Sequence, residues 1–456
     1  MQLELTPLVS AGPGPHGTWH DCDRNCSLRV EKAYGGSDES LAWSLYQHFV
    51  SCRHTGDNHL AFLIEAIGLF RRLAAVEDPV EYGPPLSDLL SVYALNLCHI
   101  RGSDNALEPA GEAVSIQRRL AEQNPKYQPS LASSLDNLSC YLAECEMVED
   151  AVQHLSDALT IRRKLLVKHP IMQEPLYARS FRHYAYFLSL INHDDSLGAL
   201  INAVHFDQRL AEEDMAAYGH YLAWSLYRLV AVYEERGRYN DGLSPSLRCM
   251  EVCRKLVELA QDDGNDAKDR LAHALVVRSK VLDGMGLYRL ALEPVIEAML
   301  IFRKLAAKQQ RFTAYFAKSL SAVSVVLTHH GRDDPVVVVM ETLVLRSCRR
   351  LSATDPDRYE GDLVQCLRQR VASLLQEGMH AEAAETGRAA LGILQRRAAK
   401  DPHSHEVPLS IFPYGCSRSL MEPNEEEDEF GLKAATIHRQ NIIPVVKLPL
   451  PTLLVT

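Results

Sequence analysis

The sequence predicts an all-α solenoid, a stack of about eight helix-turn-helix repeats. Three observations predict it. Apolar residues recur at helical spacing through most of the 456 residues. The pattern returns with a period of about 46 residues in two independent sets of positions. Glycines and prolines fall where helix pairs must turn or stop.

The clearest unit is residues 131–170, LASSLDNLSCYLAECEMVEDAVQHLSDALTIRRKLLVKHP. Leu131, Leu135, Leu138 and Leu142 mark one amphipathic helix, and Ala151, Leu155, Ala158, Ile161 and Leu165 a second. We name these helices A and B.

Residues 1–36 form a loosely ordered leader, with Gly12, Pro13, Gly14, Pro15, Gly17, Gly35 and Gly36 and little periodicity. The string Gly12-x-Gly14-x-x-Gly17 matches a dinucleotide fingerprint by letters alone. Pro13 and Pro15 interrupt it and no helix pattern follows, so it reads as loop. The leader has no basic n-region followed by a long apolar run, so it is not expected to be a secretory signal.

The repeats occupy residues 37–401. The first core residue of each A helix falls at Leu41, Leu86, Leu131, Leu176, Leu222, Leu271, Phe316 and Leu363, in steps of 45, 45, 45, 46, 49, 45 and 47. The last core position of each B helix falls at Leu73, Leu120, Leu165, Leu210, Leu256, Leu305, Leu351 and Arg397, in steps of 47, 45, 45, 46, 49, 46 and 46. Two sets drawn from different helices share one period.

Fifteen residues after the A-helix start stand Gly56, Gly237, Gly286, Gly331 and Gly378. A glycine there can take the left-handed conformation that ends a helix. Repeats two to four have Arg101, Glu146 and Ile191 instead. Gly102 serves repeat two with a shift of one, and repeats three and four are expected to turn in another way. Asp78-Pro79, Asn124-Pro125, His169-Pro170, Asp355-Pro356 and Asp401-Pro402 follow the B helices and are read as their stops. Ala106/Ala113, Ala151/Ala158, Ala291/Ala298 and Ala383/Ala390 lie two turns apart on one face, where helix A can approach closely.

Residues 402–456 break the pattern. Glu422 and the run Glu425–Glu429 form an acidic stretch read as solvated. The apolar end is interrupted by Pro444, Pro449 and Pro451 and is expected either to cap the last repeat or to bind another chain.

These features resemble the tetratricopeptide repeat. The family pattern asks for a small residue in helix A, an alanine early in helix B and another seven later. Leu138-Ser139 and Leu142 precede Ala151 and Ala158, and Ser279, Leu282, Ala291 and Ala298 match in repeat six. The unit exceeds the usual 34 residues, and the excess is assigned to a longer B helix and a longer inter-repeat loop. In this the chain is similar to the long-unit arrays of kinesin light chains. It is closer to fungal arrays that read LAxSLxNLSxxL…EAVxIxRxLAxxxP, as Glu112–Ala121 (EAVSIQRRLA) does. The resemblance implies a right-handed superhelix with A helices lining a concave face that takes a peptide or a partner helix. It therefore implies a non-enzymatic scaffold or adaptor. The alternative is a sensor or regulatory arm of a larger NTPase or peptidase-like assembly, domains to which related fungal arrays are joined.

Six residues after the A-helix start come Asn137, Arg182 and Arg228 in repeats three to five. An asparagine amide both donates to and accepts from a peptide backbone, and an arginine holds a carboxylate with two bonds. We expect these three to form a polar strip for an extended or acidic segment, with Trp224 and Tyr227 as an aromatic anchor. The plainer alternatives are solvated A-helix side chains and, for the aromatics, inter-repeat packing.

Composition narrows the rest. A net charge of −11 gives no general footprint for nucleic acid or an anionic membrane. No apolar run is long enough to span a bilayer. Eleven cysteines, an odd number scattered through predicted helices, read as free thiols in a reducing compartment, the cytoplasm. No P-loop, HExxH or GxSxG motif occurs, and no cofactor is expected. Cys22 and Cys26 lie near His16 and His20 at a spacing that fits no common zinc finger. Cys249 and Cys253, one turn apart, read as small core residues. His329-His330-Gly331-Arg332-Asp333-Asp334 falls where repeat seven needs its turn.

Overall fold

Sixteen α-helices and three short 3₁₀ turns make up the regular structure of the described residues. The computed structural model describes residues 37–51, 57–260, 264–330 and 335–400. The N-terminal leader, Gly56, Gly331 and the C-terminal tail lie outside them.

The chain divides into two compact units, Met1–Val232 and Tyr233–Thr456. The first holds α1 (Asp38–Ser51), α2 (Asp57–Val76), α3 (Pro79–Arg101), α4 (Leu107–Gln123), α5 (Gln128–Glu144), α6 (Val148–Lys168), α7 (Pro170–Leu190), α8 (Ser196–Glu213) and most of α9 (Met215–Glu235). The second holds α10 (Tyr239–Leu259), α11 (Asn265–Gly284), α12 (Tyr288–Lys308), α13 (Thr313–His330), α14 (Pro335–Thr354), α15 (Pro356–Gln376) and α16 (His380–Lys400). Every odd-numbered helix carries one of the A-helix markers and every even-numbered helix one of the B-helix markers. Within the first unit successive helices from α1 to α8 pack together, and α1 with α3, α3 with α5 and α5 with α7 also touch. In the second, α13 touches both α11 and α15. Within the units, α2, α4, α6, α12 and α14 thus each lie against the A helices on both sides of them.

The stripe that fills the groove is best seen on α6: Ala151, Leu155, Ala158, Arg162 and Leu165 are its buried residues. They alternate steps of four and three, which keeps them on one face. The two small positions are occupied throughout. All eight alanines of the four pairs read from the sequence are 0% exposed. Repeat four uses Ser196 and Ala203, and repeat seven uses Val337 and Val344, all at most 1% exposed. The position three residues before the B-helix end is equally closed in repeats one to seven. It holds Phe70, Gln117, Arg162, Asp207, Cys253, Phe302 and Cys348, none above 2% exposed. The packing is constant there while the chemistry varies from aromatic to thiol to charge.

The turns of repeats five, six and eight share one geometry, whereas Gly102 of repeat two has φ 94° and ψ 165° and leads into a 3₁₀ turn. Gly237, Gly286 and Gly378 have φ of 67, 76 and 73°. The residue after each donates its N–H to the carbonyl five positions back: Arg238 to Tyr233 at 2.8 Å, Leu287 to Leu282 at 2.9 Å and Met379 to Leu374 at 2.9 Å. This is the Schellman closure of a helix end. Repeats three and four make the same closure without glycine. Glu146 and Asn192 take φ of 63 and 51°, and Met147 and His193 donate to Leu142 and Leu188 at 2.9 and 3.0 Å. The expectation of a different turn is therefore corrected. A left-handed non-glycine residue costs roughly 1–2 kcal/mol. Glu146→Gly is expected to raise the stability of the first unit by about 1 kcal/mol, measured as a higher denaturation midpoint in urea.

The prolines correct a second reading. They start the A helices as much as they stop the B helices. Pro79, Pro170 and Pro356 are the first residues of A helices, and Pro335 is the first residue of the B helix α14, where a missing N–H costs nothing. Asp78 caps α3 by accepting from the Val80 N–H at 2.7 Å, and Asp355 caps α15 through the Arg358 N–H at 3.2 Å. Asp214 does the same for α9, accepting from the Ala217 N–H at 3.0 Å with no proline present. Between α6 and α7 only His169 is left over. The long repeat comes from two long helices, and the inter-repeat loop is short.

Candidate partner-binding site

The A helices of repeats three to five carry the candidate residues, and the ground beneath them is charged. In repeat three, Arg162 points from α6 into the groove between α5 and α7. Its Nε donates to Asp136 Oδ2 on α5 at 3.0 Å, and its Nη2 bonds the same oxygen. Asp136 also accepts from Ser180 Oγ at 2.9 Å and Arg179 Nη2 at 3.3 Å, both on α7. The Arg162 and Asp136 side chains are 0 and 2% exposed. Asp136 Oδ1 and Arg162 Nη1 are buried without a hydrogen-bond partner among the described residues. Burial lowers the Arg162 pKa, with Asp136 opposing.

Repeat four builds the same contact with the signs exchanged. Asp207 of α8 stands at the B-helix position that Arg162 holds in repeat three. It accepts two parallel bonds from Arg182 of α7, Nε to Oδ2 and Nη2 to Oδ1, each 2.9 Å. Ser225 Oγ of α9 donates to Asp207 Oδ2 at 2.5 Å. The Tyr221 ring covers the guanidinium at 4.1 Å. Arg182 is 4% exposed and Asp207 0%. The structure therefore assigns Arg182 to the core of repeat four, where its fork is already filled by a carboxylate. The reason is its register: on α7 this turn faces α8 and α9.

Arg228 lies differently. Its guanidinium sits 4.6 Å above the Tyr186 ring of α7, and its Nη2 donates to Ser189 Oγ at 3.2 Å. No carboxylate of the described residues pairs with it, and its Nε is buried without a hydrogen-bond partner. Trp224, one turn earlier on α9, meets the same Tyr186 ring edge to face at 5.3 Å and 75°. Trp224 thus makes the inter-repeat contact that was the plainer reading, and it shares that contact with Arg228. Tyr227 is half-buried beside Arg228. Asn137 is half-buried on α5, its side chain making no hydrogen bond among the described residues. Arg228, Trp224 and Tyr186 come together; Arg182 leaves the strip for the core.

Charge on this face follows from the pairs. Arg162 with Asp136 and Arg182 with Asp207 cancel. Arg179 brings a second cation to a carboxylate already paired, and Arg228 brings another. His183, between Arg179 and Phe187 on α7, is pushed down to about 3 by burial and by the nearby Arg182 and Arg179 charges. It is neutral at physiological pH. On α7 and α9, Arg228 thus stands with the Tyr186 and Trp224 rings.

Four residues here escaped the sequence reading: Asp136, Arg162, Asp207 and Tyr186. The first three had a signal. A charged residue stands on the B-helix core stripe in two successive repeats at one place, with opposite signs, and each has a complementary A-helix charge.

The other motifs contribute little. His329, one residue before the end of α13, has its Nδ1 2.8 Å from Asp283 Oδ1 of α11. The rest of that string, Gly331 to Asp334, lies outside the described residues, as do Cys22, Cys26, His16, His20 and the 12–17 glycines. Among the described residues no group of His, Cys, Asp and Glu is placed to hold a metal ion. No described helix is long and apolar enough to cross a membrane.

Comparison with known proteins agrees with the geometry at one repeat. A family model described as Tetratricopeptide repeat matches residues 131–171. No curated protein matches the chain. Among solved structures, BtubC (BKLC) from P. vanneervenii is 19% identical with a TM-score of 0.43, over 54% of this chain and 90% of that one. A putative kinesin light chain from Podosopora anserina with nearly identical TPR-like repeats is 15% identical with a TM-score of 0.39, over 52 and 99%. A Rap protein complexed with Competence and Sporulation Factor is 12% identical with a TM-score of 0.36, over 82 and 99%. At these values the superpositions are too loose to transfer a residue or a partner. Residues 131–171 are a tetratricopeptide repeat, and the chain that carries it is an all-α array of long helix pairs.

Proposed function

We propose that this array is a non-enzymatic protein–protein interaction scaffold. In this reading the A-helix face of repeats three to five takes a peptide or a partner helix that carries acidic side chains. The observation that carries the proposal is Arg228, a cation held over the Tyr186 ring with no carboxylate of the described residues to neutralise it. A guanidinium stacked on a ring is pre-oriented, so little is lost when it grips a carboxylate. Trp224 and Tyr227 supply apolar area with polar tips, the residue types that dominate binding energy in interfaces. Asn137 supplies a donor and an acceptor for a backbone peptide unit. Arg182 supports this face from beneath by fixing α7 against α8 and α9. The described cysteines are free thiols, which favours a reducing compartment, the cytoplasm.

The test is affinity purification of the full chain with mass spectrometry, beside the Trp224→Ala/Arg228→Glu double variant. A hot-spot loss of about 2 kcal/mol or more corresponds to roughly 30-fold weaker binding, enough to remove the specific partner from the eluate. Recovery of the same partner in the same amount by the double variant, with its fold intact, would sink the proposal.

A further inference from the structure

The groove position that holds charge in repeats three and four holds a thiol in repeat seven. Cys348 lies on α14 three residues before its end marker, and Cys366 reaches it from α15. The two sulfurs are 3.2 Å apart, 1 and 0% exposed, and both free. Ser321 Oγ of α13 lies 3.8 Å from the Cys366 sulfur. Cys366 is thus surrounded by groups from α13 and α14. The Cys348 hydrogen bond lowers the Cys366 pKa, the Ser321 and Ser324 hydroxyls act the same way, and burial opposes. Cys348 moves up, first through its bond to Cys366 and then through burial. Of the two sulfurs, Cys366 is the one whose pKa is lowered, which makes it the readier nucleophile.

The geometry points to a redox-closable link: a peroxide oxidises Cys348 and Cys366 to a disulfide that ties repeat seven to repeat eight. In the first step the Cys366 sulfur attacks the peroxide, an S–O bond forms, the O–O bond breaks, and the departing hydroxide takes a proton and leaves as water. In the second, the Cys348 sulfur attacks the sulfenic acid. The S–S bond forms, the S–O bond breaks, and the hydroxide leaves with the Cys348 proton as water. Two thiols lose two electrons and two protons, and hydrogen peroxide becomes two waters. Both sulfurs are closed to solvent, so the reaction is gated by opening of these helices, and repeat arrays open locally. The link spans 18 residues of sequence, across the Asp355-Pro356 junction. Closing it restricts the unfolded chain and holds α14 on α15.

The full chain is treated with hydrogen peroxide at neutral pH, quenched, alkylated in denaturant and digested without reductant. Mass spectrometry is expected to find the Cys348–Cys366 linked peptide, lost on adding dithiothreitol. The oxidised protein is expected to melt several degrees higher than the reduced one. Cys348→Ala is expected to leave Cys366 as a sulfenic acid that dimedone traps. Recovery of both cysteines as free alkylated thiols after peroxide overturns the proposal. So does linkage of either one to a different cysteine, or Cys366 found as sulfinic acid with no linked peptide. The wild-type digest decides this without relying on how any variant folds.

Discussion

Arg162→Ala is expected to destabilise the first unit by about 3–5 kcal/mol, the usual cost of removing one member of a buried ion pair. The variant leaves Asp136 in the same closed groove, its side chain 2% exposed. The carboxylate keeps Ser180 and a longer contact to Arg179, which places the loss toward the lower end of that range. Urea denaturation measures it. The pair itself is a weak source of stability, because two charges have been taken out of water and Asp136 Oδ1 and Arg162 Nη1 remain unpartnered. Replacing both residues with apolar ones of similar volume, Asp136→Leu with Arg162→Met, is therefore expected to be neutral or stabilising by about 1–4 kcal/mol. A double variant as unstable as the single one would show that the charges themselves hold α6 between α5 and α7.

Arg182→Glu is expected to do more. It puts a second carboxylate against Asp207, which is 0% exposed and accepts its two 2.9 Å bonds from Arg182. Loss of the pair costs about 3–5 kcal/mol, and like charges at close range in a dry groove add to it. Tyr221 also loses the cation it covers. Cooperative unfolding of the first unit is expected at much lower urea, or folding is lost. Arg228→Glu, on the same nominal register two helices along, is expected to change stability by under about 1 kcal/mol, since it removes only a stacking contact and one bond to Ser189. A thermal melt of the two variants side by side measures the contrast. Equal effects would mean that register, and not the presence of a partner carboxylate, governs both.

Much of the fold was legible because the same physical demand recurs in every repeat. Small side chains at Ala151 and Ala158 are needed wherever two helices touch, so spacing alone revealed them, and even the valines of repeat seven obey it. Turn geometry was only half legible. Glycine announces a left-handed residue and asparagine does so more weakly, as at Asn192, but Glu146 adopts the same φ with nothing in its side chain to signal it. Proline was misread because it both ends one helix and opens the next, and its letter does not say which. The site was the least legible part. Asn137, Arg182 and Arg228 share one offset from the A-helix start, yet the step from repeat four to repeat five is one residue longer than the three before it. A single residue turns a helix by about 100°. That is why a shared offset put Arg182 into the groove and Arg228 on the ring of Tyr186. Pairing Arg182 with Asp207 needed the second helix, and the sequence order of charges does not supply it.

Where the partner lies on the array is the central claim, and site-specific photocrosslinking measures it most directly. A benzophenone amino acid in place of Tyr227, on the A-helix face of α9, is compared with one in place of Ile201, exposed on helix α8. The account predicts that the partner crosslinks through position 227 and not through 201, and that Arg228→Glu abolishes the crosslink. Crosslinking through 201 alone, or through 227 undiminished by Arg228→Glu, would contradict it.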